Sequence, residues 1–198
     1  MLAANGKNLQ IFWLLLVILA GVFIYNLDDQ HTIYNENGIL ENLQAGILLL
    51  TCFYMVQVGK NLQGSSRYAA WMFAWICLAF FFREFDVRKT DWPEPAHMIF
   101  GKPGQYIWLL PLFYILVQVF RNIRFYLRNT LIYLRSPMML YVILGGVLLI
   151  IAGIFDKQVI PTETKFWEEY LEIAADAYLF LAALLAPSSF KNIEAKAR

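Results

Sequence analysis

Six long apolar runs constrain this chain more than any other feature. They are Leu9–Tyr25, Ile39–Val58, Tyr68–Phe85, Gln105–Phe120, Met138–Phe155 and Phe166–Ala186, each 16 to 21 residues long. A bilayer hydrocarbon core about 30 Å thick takes about 20 mostly apolar residues per helix. The runs are continuous rather than alternating at period two, which predicts helices and not barrel strands. The expectation is an all-α, polytopic membrane protein with six transmembrane helices in a single domain, 1–198. Composition agrees. The apolar fraction is 60% and the charged fraction 16%, against about 45–50% and about 25% in soluble domains. These values argue against a soluble enzyme or a disordered chain. A net charge of +1 gives no basic field for nucleic acid.

The fourth run is short and contains Pro111, which predicts a kink there. Lys7 ahead of the first run resembles the start of a signal peptide. No small-x-small cleavage site follows, so the run reads as a retained helix.

Loop charge predicts orientation. Taken as inside are the N-terminus, Gly59–Arg67, Arg121–Pro137 and the C-terminal tail, which together hold 10 Lys and Arg; the opposite side holds 6. Both termini are therefore expected to be cytoplasmic. In segment 121–137, Arg121, Arg124 and Arg128 recur at i, i+3 and i+7 among apolar residues. This pattern predicts an amphipathic helix on the cytoplasmic interface, or simply a topology-fixing loop. Cys52 and Cys77 lie inside runs, as buried apolar residues rather than a disulfide or zinc pair. Gly145, Gly146 and Gly153 suit close helix packing, and the oligomeric state stays open.

The acids segregate more sharply than the cations. Fourteen of 15 carboxylates fall in outer loops or at outer helix ends, with only Glu194 inside. Three clusters meet the outer boundary: Glu36 and Glu41 with Gln44, then Arg83, Glu84 and Asp86, then Glu168, Glu169, Glu172 and Asp176. Glu169, Glu172 and Asp176 share one helix face at i, i+3 and i+7. Asp176 lies about 10–12 Å inside the helix start. A carboxylate that deep costs about 2.5–3.5 kcal/mol on insertion scales. It must be protonated, paired, coordinated to a metal or open to water. Arg83 can neutralise one such group, not five.

The candidate site is thus a metal set of Glu41, Glu84, Asp86, Glu169, Glu172 and Asp176, with Arg83 as a structural ion pair. Glu172, Asp176 and His97 are the candidate catalytic groups. His97 is read as lying in a proline-bearing outer loop, where it is either a solvated side chain or a general acid/base. All-oxygen ligands favour Ca²⁺, Mg²⁺ or Mn²⁺ over Zn²⁺. No Gly-x-Ser-x-Gly, His-Glu-x-x-His, P-loop or dinucleotide motif is present.

The run Glu36-Asn37-Gly38-Ile39-Leu40-Glu41, the exit Arg83-Glu84-Phe85-Asp86 and the helix Glu168-Glu169-Tyr170-Leu171-Glu172 resemble a loose group of uncharacterised bacterial multi-helix inner-membrane proteins. Members of that group share an Arg-Glu-x-Asp helix exit and a terminal Glu-Glu-x-x-Glu helix. The resemblance implies the helix order and no particular activity. A similarity to membrane lipid hydrolases of the alkaline-ceramidase kind stops at the gathering of candidate ligands near one leaflet, because the histidine triad is missing.

Three functions remain in play. One is a divalent-cation-dependent enzyme acting on lipid or envelope intermediates. Another is a non-enzymatic scaffold or assembly factor whose acidic outer face docks a protein partner. The third is a proton- or cation-coupled transporter, although no continuous polar path crosses the inner halves of the runs. Membrane lipids are expected partners in each case.

Overall fold

The computed structural model describes residues 17, 18, 21, 39–84, 93–101, 104, 106–156 and 164–197. Among them every regular element is a helix. These are α1 (Ile39–Asn61), α2 (Gly64–Glu84), α3 (Glu94–Phe100), α4 (Leu109–Arg121), α5 (Ile123–Leu134), α6 (Pro137–Asp156) and α7 (Thr164–Ala197). Four of them, α1, α2, α6 and α7, are long and apolar enough to cross a membrane, and α4 with α5 adds a fifth if the bent pair counts as one span. The predicted first run, Leu9–Tyr25, lies almost wholly outside the described residues. Its described Gly21 is helical and sits against Tyr170 of α7, where a Cβ would meet the ring at 2.2 Å.

α1 and α2 form a hairpin. Only Leu62 and Gln63 separate them, and Gly64 takes φ +61°, a left-handed conformation that suits a residue without Cβ. The Arg67 Nε donates to the Leu62 carbonyl at 2.9 Å and closes the turn. One turn before the hairpin, Gly59 lies so close to the Trp71 indole that a Cβ would sit 2.4 Å from it.

α7 is the central helix: 67% of its apolar window is buried, against 17% for α6. Tyr141 of α6 stacks on Tyr178, and Gly145 meets the Ala175 carbonyl, so the two helices run antiparallel. Of the three glycines expected to allow close packing, Gly145 makes such a contact, whereas a Cβ at Gly146 or Gly153 would meet nothing. The core gathers Leu48, Met55, Cys77, Ala182, Phe190 and Ile193, all nearly inaccessible.

Two expectations need correction. The kink predicted at Pro111 is absent from that position. Pro111 stands in the first turn of α4, where a missing N–H costs nothing. The chain instead bends by 86° at Asn122, between α4 and α5. There the Asn122 side chain donates to the Gln118 carbonyl at 2.7 Å and accepts from the Ser65 hydroxyl at 3.0 Å. The last helix was also expected to stop at Ala186, but α7 runs on through Pro187 to Ala197. Burial of Ser189, Phe190 and Ile193, with Phe190 edge-on to Tyr133, holds the turns beyond the proline.

α5 lies across one end of the bundle, since its Tyr126 hydroxyl donates to the Ser65 carbonyl while Tyr133 reaches Phe190. It falls within the segment 121–137 singled out by its arginines. Ser136 then caps α6: its hydroxyl accepts from the Met139 N–H at 3.3 Å, with Pro137 opening the helix.

Candidate functional site

The antiparallel hairpin and the direction of α7 bring three sequence-distant ends together: the start of α1, the end of α2 and the start of α7. Glu41 opens α1, Arg83 and Glu84 close α2, and Glu169, Glu172 and Asp176 descend one face of α7. Acidic residues early in a helix and a basic residue late in one both suit the helix dipole.

Arg83 is the hub. Its guanidinium donates to Glu84 and, across 89 residues of sequence, to Glu172, both at 2.5 Å. The Arg83 side chain is 49% exposed and lies over the Phe80 ring, while Glu84 and Glu172 are 10% and 15% exposed. Charge-assisted bonds of this kind are the stronger ones, and losing the cation would leave two sparsely hydrated carboxylates facing each other.

Two further acids lie behind this pair. Glu169 is 7% exposed, and its Oε2 is buried without a hydrogen-bond partner. It experiences the charges of Glu172, Glu41, Glu168 and Glu84. Asp176 is 3% exposed, within range of Glu84, Glu172 and Arg83, and its charge reaches the Cys77 thiol midway along α2. Arg83, Glu84 and Glu172 are thus in direct contact, and Glu41, Glu169 and Asp176 lie within electrostatic range of that trio. Cys52 and Cys77 are free and buried, as their place inside apolar runs suggests.

Other candidate residues fall elsewhere. Asp86 lies outside the described residues. His97 is half-buried on the short helix α3, not in a loop: Pro95 suits its first turn, and the Gly101 N–H closes onto the His97 carbonyl at 2.9 Å. It is not among the charged groups that act on Glu84, Glu169 or Asp176. Among the described residues, no three His, Cys, Asp or Glu side chains are placed to hold a metal ion.

Gln44 was not a candidate, yet it is completely buried and neither its Nε2 nor its Oε1 has a partner. It follows Glu41 by three residues on α1, and that spacing was its only signal in the sequence. Buried amides without partners are uncommon in folded proteins.

No family model matches the chain, and no curated protein or solved structure matches it either.

Proposed function

We propose that the chain is a multi-pass protein of the bacterial inner membrane, with both termini cytoplasmic, whose acidic site faces the outer leaflet and binds a cationic group presented by a lipid or envelope intermediate. The observation that carries this reading is the charge imbalance around Arg83. One guanidinium serves Glu84 and Glu172, while Glu169 keeps a buried oxygen without a partner beside them. Such a locality attracts positive charge and pays a desolvation cost until it is met.

The membrane reading is supported by the four long apolar helices and by their exposed Leu50, Phe53 and Ile150. Its orientation is supported by the opposite end of the bundle. There α5 lies crosswise, exposing Leu127 and Leu131 beside Arg124 and Arg128, which suits the headgroup level of a cytoplasmic leaflet.

If the bound intermediate is also transformed, Glu172 or Asp176 is the group to serve as base. A divalent cation, rather than an organic one, is the alternative occupant. A purely structural role, in which Arg83 ties α2 to α7, is favoured by the cross-helix bond to Glu172.

Thermal unfolding in detergent separates these readings. A bound ligand stabilises the folded state by mass action. Ca²⁺, Mg²⁺, Mn²⁺ or a primary alkylammonium should raise the wild-type midpoint and leave that of Glu169→Gln unmoved. If no cation shifts the folded wild type, the binding site is refuted and the structural tie remains.

A further inference from the structure

On the side of the α1–α2 hairpin facing α4 lies a cavity of about 780 Å³ that the acidic site does not use. Its walls are almost wholly apolar and include Gly46, Phe53, Trp71, Trp75 and Trp108, with Asn42 at one end. The size lies within the range of about 300–1,000 Å³ usual for ligand pockets, and so does the pattern of apolar walls with few polar groups.

The walls are braced rather than collapsed. The Trp71 indole N–H donates to the Val56 carbonyl of α1, and the Trp75 indole N–H to the Trp108 carbonyl beside α4. Each indole thus satisfies its polar atom on a neighbouring segment and holds two walls apart. Tyr68 meets Tyr114 edge-on and Phe82 meets Trp108, adding two further struts. At Gly46 an added Cβ would meet nothing within 4 Å, so this wall opens into real space.

Length, apolar lining and neighbouring charge point to the occupant. From Asn42 to Val56 the slot follows α1 for about 21 Å at 1.5 Å per residue. Dividing the volume by that length leaves a width of about 7 Å for the centres of bound atoms, or about 10 Å from wall to wall. An aliphatic chain suits the apolar walls, and the slot exceeds the roughly 15 Å of hydrocarbon in one leaflet, deep enough to take such a chain along its length.

The slot also points to a headgroup. Asn42 and Phe82 at its polar end each stand one residue from the acidic locality, next to Glu41 and Arg83 respectively. Among the described residues there, the carboxylates outnumber the one arginine that serves them, which suits a cation. We infer that the α1–α2–α4 cavity holds the aliphatic chain of a membrane lipid whose ammonium-bearing headgroup lies against the acidic site. This inference rests on the cation-binding reading and specifies the molecule that carries the cation.

Native mass spectrometry of the full chain tests it, with equal amounts of phosphatidylethanolamine and phosphatidylglycerol offered in detergent. The wild type should retain the ethanolamine lipid with about fivefold preference, and Glu172→Gln should level that preference without abolishing binding. Gly46→Phe, which fills the slot, should lower lipid retention about tenfold or more while circular dichroism stays unchanged. Gly46→Leu places a smaller group in the same space and keeps the test decisive if the phenylalanine disturbs packing. Retention that persists in both folded Gly46 variants overturns the proposal through the cavity. Retention that Gly46→Phe blocks but that ignores the headgroup overturns it through the acidic site.

Discussion

Arg83 is the cation that Glu84 and Glu172 share, and its removal should cost more than removal of either partner. Glu172→Gln leaves Arg83 its bond to Glu84, whereas Arg83→Met leaves Glu84 and Glu172 facing each other with little water. Breaking a buried pair from one side costs about 3–5 kcal/mol, whereas an exposed pair is worth under about 1 kcal/mol. With Arg83 half exposed, Arg83→Met should lower stability by about 2 kcal/mol, and Glu172→Gln by less. In Arg83→Met/Glu172→Gln part of the loss should return, because one unpaired charge is gone. Denaturant unfolding of the four proteins measures this directly, and equal costs for both single variants would remove Arg83 as the hub. Gly59→Ala is a second residue-scale case. Its methyl would press on the Trp71 ring, and a destabilisation of about 1–3 kcal/mol is expected from overpacking.

Among the elements, those whose pattern is continuous were legible in the sequence and those held by tertiary contacts were not. The runs at Ile39–Val58, Tyr68–Phe85 and Met138–Phe155 correspond to α1, α2 and α6 within a few residues at most ends, because length and apolarity alone specify such helices. The bend at Asn122 was invisible. It depends on Ser65, 57 residues away, while the proline that drew attention stands harmlessly in a first turn. The extension of α7 past Pro187 was missed for the same reason, since Phe190 and Ile193 are buried against partners from other helices. Phe190→Ala should therefore cost about 3 kcal/mol and loosen the last turns of α7, read as faster amide exchange there. Asn122→Ala should cost about 1 kcal/mol through its lost side-chain bonds, with the exchange change confined to α4 and α5.

The candidate site was legible in part. The spacing of Glu169, Glu172 and Asp176 and the depth of Asp176 marked α7, and the topology drawn from loop charge brought Glu41 and Glu84 to the same end. The sequence placed Gln44 beside Glu41 but gave no sign of its complete burial, and the apolar cavity was invisible, since scattered tryptophans carry no pattern until the helices are packed.

At the scale of the whole molecule the account is one of polarity along a single axis. Glu41, Glu84, Glu169 and Glu172 occupy one end of the bundle; Lys60, Arg67, Arg121, Arg124 and Arg128 occupy the other, where α5 lies crosswise. A membrane that holds the basic end inside presents the acidic end to the outer leaflet. Thiol labelling in intact cells tests it most directly. In a variant with Cys52 and Cys77 replaced by Ala, a membrane-impermeant maleimide should label Trp167→Cys, at the exposed start of α7, in intact cells. It should label Lys191→Cys only after permeabilisation. The reverse pattern, or labelling of both sites from outside, would contradict the outward-facing acidic site.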